Sequence, residues 1–183
     1  MLHLDAWATH AINALAAGSD VLDRLMIWYS SVGVPVVVLA VALQWWSSGD
    51  RQHTRHVIVS AGMSFVLGLA FNQLILLFVH RIRPYDAGVT HLLIAPSADP
   101  SFPSDHATAT MAIAASFLLH RLRRSGLWFL AAAAVMMLSR VWIGTHYVGD
   151  VLGGAATGIL AAIIVAQLYR EGSRADRLIT GIL

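Results

Sequence analysis

The sequence predicts an all-α fold: a polytopic membrane helix bundle of five to six helices, with an N-terminal interfacial or short helix, in a single domain over residues 1–183. Three observations lead there. The 183 residues are 57% hydrophobic and 12% charged, with a mean hydropathy of +0.68, which is not a soluble composition. The charges stand between long stretches free of Asp, Glu, Lys and Arg. Every one of the twelve Lys+Arg residues is arginine, and the arginines gather in clusters between those stretches.

Taken in order, Leu4, Trp7, Ala8, Ala11, Ile12 and Leu15 recur at helical spacing opposite His3, Asp5, Thr9 and Asn13, the pattern of a helix lying in the membrane interface. A signal peptide needs a basic start and a longer apolar core, and neither is present. The stretches Leu25 to Gly49, His56 to His80 and Val151 to Tyr169 are long enough to cross a bilayer, which takes roughly 20 apolar residues. His106 to His120 and Ser125 to Ser139 are short unless the polar residues at one end of each lie at membrane depth. Gly154 and Gly158 make a small-xxx-small face on the last span, expected to pack closely against another helix. No repeat, linker or second domain is visible, and there is no cysteine, so disulfide and thiolate chemistry are excluded.

Orientation follows from the arginines. If the first span starts outside, Arg51, Arg55, Arg121, Arg123, Arg124, Arg170, Arg174 and Arg177 fall on the cytoplasmic side, leaving Arg24, Arg81, Arg83 and Arg140 outside, as the positive-inside rule prefers. The basic balance, pI about 9.5, is thereby a matter of topology and calls for no nucleic acid partner. Arg24 and Arg81 read as anchors to lipid headgroups.

This topology collects Arg83, Ser104, His106, Arg140, His146 and Asp150 at one end of the spans. Ionisable groups at membrane depth are costly, so their default reading is functional. Two arginines offer planar forks suited to phosphate oxygens. The N–H groups of the helix after Pro103, with the hydroxyl of Ser104, form a natural anion site. His146 and Asp150 are four apart, so on a helix the carboxylate accepts from one imidazole nitrogen and the other is aimed as a nucleophile. His106, from another segment, is then free to protonate the leaving oxygen. The remaining histidines, His3, His10, His53, His56, His80, His91 and His120, read as structural or interfacial.

"RP" at Arg83-Pro84, "PSDH" at Pro103 to His106 and "SRVWIGTHYVGD" from Ser139 to Asp150 resemble the three signature motifs of the type 2 phosphatidic acid phosphatase superfamily. Its third motif, SR-x5-H-x3-D, is met at Ser139, Arg140, His146 and Asp150. The resemblance implies that the residue matching His146 attacks phosphorus to give a phosphohistidine and that Asp150 supports it. It implies that His106 protonates the leaving group and then activates water, and that Arg83, Ser104 and Arg140, with Ser139, bind the phosphoryl group. No cofactor is implied. Two departures mark a subgroup. Asp105 stands where the second motif usually has glycine, and PSDH resembles the bacitracin-resistance type of undecaprenyl-diphosphate phosphatase. The lysine expected seven residues before Arg83 is Leu76, and Asn72, one turn earlier on the same face, or its neighbour Gln73 is a candidate substitute.

The expected function is therefore a phosphatase in the bacterial cytoplasmic membrane, its site facing the periplasm or exterior. It would cleave undecaprenyl (polyprenyl) diphosphate to the monophosphate and inorganic phosphate and so recycle the cell-wall carrier lipid. Phosphatidic acid, phosphatidylglycerophosphate or another lipid phosphate is the alternative substrate, because the motifs grip the phosphate and not the tail. A Ser104-His146-Asp150 ester hydrolase lacks the G-x-S-x-G elbow and leaves both arginines and His106 idle. A non-catalytic membrane protein leaves the ordered motifs unexplained. His146 and Asp150 have metal-ligand spacing, but no further ligands accompany them and the arginines repel a cation, so no metal is required.

Overall fold

The computed structural model describes residues 2–16, 18–47 and 49–181, and among these it holds α-helices and no strand. In chain order they are α1 (Leu2–Asn13), α2 (Asp20–Leu43, prolonged by a 3-10 turn at Gln44–Trp46), α3 (Arg51–Leu76), α4 (Asp105–Leu119), α5 (Arg123–Trp142), α6 (Val148–Leu168) and α7 (Arg174–Thr180). Asp20–Trp46, Arg51–Leu76, Arg123–Trp142 and Val148–Leu168 are long and apolar enough to cross a membrane. This is the expected polytopic helix bundle; α7, a short helix after the last span, follows it and carries too few residues to leave a periodic signal.

Several starts are written in the sequence. Ser19, Asp50 and Ser173 cap α2, α3 and α7 by accepting from Leu22, His53 and Asp176 N–H groups. Asp150 lies in the first turn of α6, where a carboxylate suits the positive end of the helix dipole. The two short stretches resolve differently. α5 runs on through Ser139 and Arg140 to Trp142 and so reaches spanning length. α4 stays at 15 residues.

α4 is the axis of the bundle, packed by α3, α5 and α6. Its small residues Ala107, Ala112 and Ala114 are fully buried, as is Phe117, which meets Phe129 of α5 edge-on with ring centroids 4.7 Å apart. The glycine face of α6 behaves as expected: a Cβ on Gly154 would strike the carbonyl of Ser104, and one on Gly158 the carbonyl of Thr108. That contact brings the starts of α4 and α6 side by side, where the Ser104 N–H donates to the Asp150 carbonyl at 3.1 Å.

α1 lies across this end of the bundle with its polar stripe inward. Thr9 and Asn13 are buried, whereas Leu4 and Trp7 are 70% and 68% exposed. A helix that turns its polar side to protein and its apolar side outward suits a lipid surround. Asn13 donates to the carbonyls of Trp142 and His91, and Thr9 and Asp5 accept from the Val148 and Gly149 N–H groups. All these bonds fall on or beside the turn between α5 and α6. The long loop from Leu77 to Ser104 packs on the same turn, with the Leu93 N–H and the Thr90 hydroxyl donating to the Ile143 and Gly144 carbonyls. Gly144 adopts φ +82, a left-handed conformation with no room for a Cβ beside the His91 carbonyl.

Candidate active site

One cavity of about 310 Å³ opens at this end, lined by Arg83, Arg140, His106 and His146 together with Leu76, Gln73, Asp99, Asp105 and Thr145. Segments distant in sequence thus bring two guanidinium groups and two imidazoles to a single concavity.

Each arginine is anchored so that only part of it is committed. Arg83 donates from Nε to the Asp99 carbonyl at 2.8 Å and from Nη1 to the Thr145 carbonyl at 3.0 Å. Arg140, in the last turn of α5, donates from Nη1 to the Ser30 hydroxyl of α2 at 2.6 Å. Its Nε is buried and finds no partner among the described residues, and the same holds for the hydroxyl of Ser104 at the cap of α4. Buried polar atoms left unpaired cost free energy, and both of these are groups suited to an anionic oxygen. Ser104 itself lies just behind the wall, between the lining residues Pro103 and Asp105.

His146 occupies the turn before α6 and not the helix, so the expected helical i, i+4 bond is replaced by another. Its Nδ1 is 2.8 Å from the carbonyl of Ser101, while the nearest Asp150 oxygen is 3.7 Å away. A carbonyl can only accept, so Nδ1 carries the proton and Nε2 keeps its lone pair. Asp150, fully buried, accepts from the Tyr147 N–H at 2.8 Å, from the Ser101 hydroxyl, and from Arg81 Nη1 at 2.7 Å. Asp150 is linked to His146 through Ser101, whose hydroxyl donates to it and whose carbonyl meets His146 Nδ1.

Arg81, read as a headgroup anchor, is instead an internal bridge. Its second nitrogen donates to Asp5 of α1 at 2.6 Å, and its guanidinium lies 3.8 Å from the centroid of the Tyr147 ring. Burial works against the cation, but the carboxylates of Asp5 and Asp150 outweigh it and raise the pKa.

Besides Ser104, two further expected ligands, Ser139 and Asn72, do not line the cavity. The Ser139 hydroxyl donates to the Met136 carbonyl of its own helix at 2.7 Å, turning away from the site. Asn72 does not replace the missing lysine. It is fully buried, donates to Asp105 at 2.7 Å and Thr108 at 2.9 Å, and accepts from Thr157 at 3.0 Å. It can act on a ligand only by orienting Asp105. Leu76 itself lines the wall.

The chain is 36% identical over 162 residues, 87% of its length and 79% of the relative's, to the undecaprenyl-diphosphatase BcrC of Bacillus subtilis. It is 27% identical over 165 residues, 90% of its length and 79% of the relative's, to the bacitracin transport permease protein BcrC of Bacillus licheniformis. Its fold is similar, with a TM-score of 0.69, to the crystal structure of a transmembrane PAP2 type phosphatidylglycerolphosphate phosphatase from Bacillus subtilis, which is 21% identical and matches over 94% of this chain and 88% of the other. With residues 56–174 matching the sequence pattern of the PAP2 superfamily, the chain belongs to that superfamily, and its class of activity is the hydrolysis of lipid phosphates in a membrane.

Proposed function

We propose that the substrate is undecaprenyl diphosphate or a closely similar polyprenyl diphosphate, cleaved to the monophosphate and inorganic phosphate through a phosphohistidine at His146. The observation that carries this reading is the tautomer of His146: with Nδ1–H given to the Ser101 carbonyl, Nε2 is a free nucleophile on the wall shared with Arg83, Arg140 and His106.

In the first step Nε2 attacks the terminal phosphorus, the bond to the bridging oxygen breaks, and His106 gives that oxygen its proton. In the second, His106 takes a proton from water, which displaces phosphate from the histidine. Arg83, Arg140, the Ser104 hydroxyl and the first N–H groups of α4 hold the oxygens while charge develops on them. The substrate class is supported by the 36% identity to BcrC of Bacillus subtilis and by the PSDH variant of the second motif. The arginine distribution supports a bacterial cytoplasmic membrane with the cavity on the exterior face, at the depth of a headgroup whose tail remains in lipid.

The test offers purified protein in detergent undecaprenyl diphosphate, phosphatidic acid and phosphatidylglycerophosphate in parallel, in chelator, and follows phosphate release. The diphosphate is expected to turn over fastest, with vanadate inhibiting. Preference for a glycerophospholipid would reassign the substrate, and a strict need for added Mg²⁺ would reject the mechanism.

A further inference from the structure

The Asp5–Arg81–Asp150 bridge has no place in the steps above, yet Arg81 touches three residues beside the nucleophile, Asp150, Tyr147 and Ser101. Its Nη1 reaches Asp150 and its guanidinium covers the Tyr147 ring. Its own carbonyl accepts from the Ser101 N–H at 2.8 Å, and Ser101 in turn offers the carbonyl that holds His146 Nδ1. Asp5 grips the other side of the fork and, with its second oxygen, the Gly149 N–H at 2.8 Å. The N-terminal helix is thereby tied to the start of α6 at the one turn that carries His146.

We propose that Arg81 is a positioning residue of the reaction and that Asp5 completes it, their ion pair holding Asp150, and through Ser101 the ring of His146, in line with the phosphorus. This rests on the reading of His146 as nucleophile. The physical reason is competition for a buried carboxylate. Asp150 has no exposure to water, and Arg81 is the cation that meets it directly. Without that cation the carboxylate turns to the next donor, the His146 Nδ1 that stands 3.7 Å away. The imidazole then swings off the Ser101 carbonyl and Nε2 leaves its line of attack. Displacement of an attacking atom by about 1 Å costs on the order of a hundredfold in rate. Phosphate binding is unaffected, because Arg83 and Arg140 are anchored by Asp99, Thr145 and Ser30 and not by this bridge.

The experiment measures kcat and KM for phosphate release by the full chain in detergent. Arg81→Ala is expected to lower kcat on the order of tenfold to a hundredfold with KM within about threefold. Arg81→Lys should recover part of the loss, because a single ammonium can serve one carboxylate but not both. Asp5→Ala should cost less than Arg81→Ala, and the double variant should be no slower than Arg81→Ala alone, since the two act as one unit. Arg24→Ala, an arginine at another span end, should match wild type. A kcat for Arg81→Ala within about twofold of wild type, a loss confined to KM, or strictly additive losses would overturn the proposal. If Arg81→Ala does not fold, wild-type kcat in both Arg81→Lys and Asp5→Ala overturns it equally. Ring-nitrogen NMR of histidine-labelled protein separates this from the substrate assignment, because it needs no turnover. His146 should be protonated at Nδ1 in wild type and lose that single tautomer in Arg81→Ala. An unchanged spectrum rejects the bridge, whereas a wild-type protein inert on every lipid phosphate rejects only the function proposed above.

Discussion

The imidazole of His146 is held by the main chain of Ser101, at 2.8 Å, and not by the carboxylate of Asp150, at 3.7 Å. A carbonyl acceptor fixes the tautomer without placing a charge on the ring, which leaves Nε2 neutral and nucleophilic. The carboxylate is near enough to favour a cationic ring, which the phosphohistidine proposed above would be.

The two histidines should therefore differ in how they fail. His146→Ala is expected to abolish phosphate release while the protein keeps its helical circular dichroism. His106→Ala should slow turnover by roughly 10²–10⁴-fold, the usual range for losing a general acid. A phosphoenzyme trapped under alkaline quench should be seen with wild type and never with His146→Ala. Phosphate release near the wild-type rate from both variants would remove them from the mechanism.

The cavity also makes a specific statement about Leu76. A lysine introduced there shares the wall with Asp105, whose carboxylate is oriented by Asn72. Leu76→Lys alone is expected to change KM little, because the new ammonium pairs with Asp105. Leu76→Lys with Asp105→Gly should lower KM several-fold for a monophosphate lipid, measured by initial rates. A large gain from Leu76→Lys alone would show that Asp105 does not neutralise that position.

Gly158 packs on the backbone of α4, with no space for a side chain beside the Thr108 carbonyl. Gly158→Val should destabilise the protein by about 1–3 kcal/mol, the usual cost of overpacking. Activity should fall with it, because α4 carries Ser104 and His106. Thermal unfolding in detergent reads the first effect, and unchanged melting would mean the helices separate without penalty.

At the far end, Asp176 of α7 accepts from the Tyr169 hydroxyl at 2.7 Å, His56 Nδ1 at 2.8 Å and the Gly172 N–H at 2.7 Å. Burial pushes its pKa up, but these donors outweigh burial and hold it below the ordinary carboxylate range. The stability it contributes is complete above the unfolded value of about 3.9 and is lost as the pH falls through the lower folded value. Asp176→Ala strands buried donors and should cost at least about 2 kcal/mol near neutrality. Melting curves of the two proteins should converge as the medium is acidified, and a gap that persists in acid would mean that the carboxylate is not the group responsible.

Charge-free length revealed three of the four spans, because lipid contact demands apolar residues whatever the partner helix; α5 reaches spanning length only by running on through Ser139 and Arg140. The motif residues were equally legible, since Arg83, His106, Arg140 and His146 are polar groups where polar groups are costly. What stayed hidden depends on main-chain atoms and long-range pairing. Ser101 acts on His146 through a carbonyl, which every residue possesses. Arg81 looks like any arginine at a span end until Asp5, far back in the chain, folds over to meet it. His146 and Asp150 are neighbours as their spacing implies, but the helical rule did not apply because α6 begins only at Val148. Asn72 was placed correctly beside the site and wrongly within it, its amide being already engaged by Asp105 and Thr108.

The enclosure of α4 bears on how His106, in its first turn, is positioned. At 15 residues the helix is about 22 Å long, well short of a hydrocarbon core of about 30 Å. It is sheathed by longer helices that meet the lipid on its behalf. His106 is therefore placed by the helices packed around α4, and not by lipid meeting α4 itself.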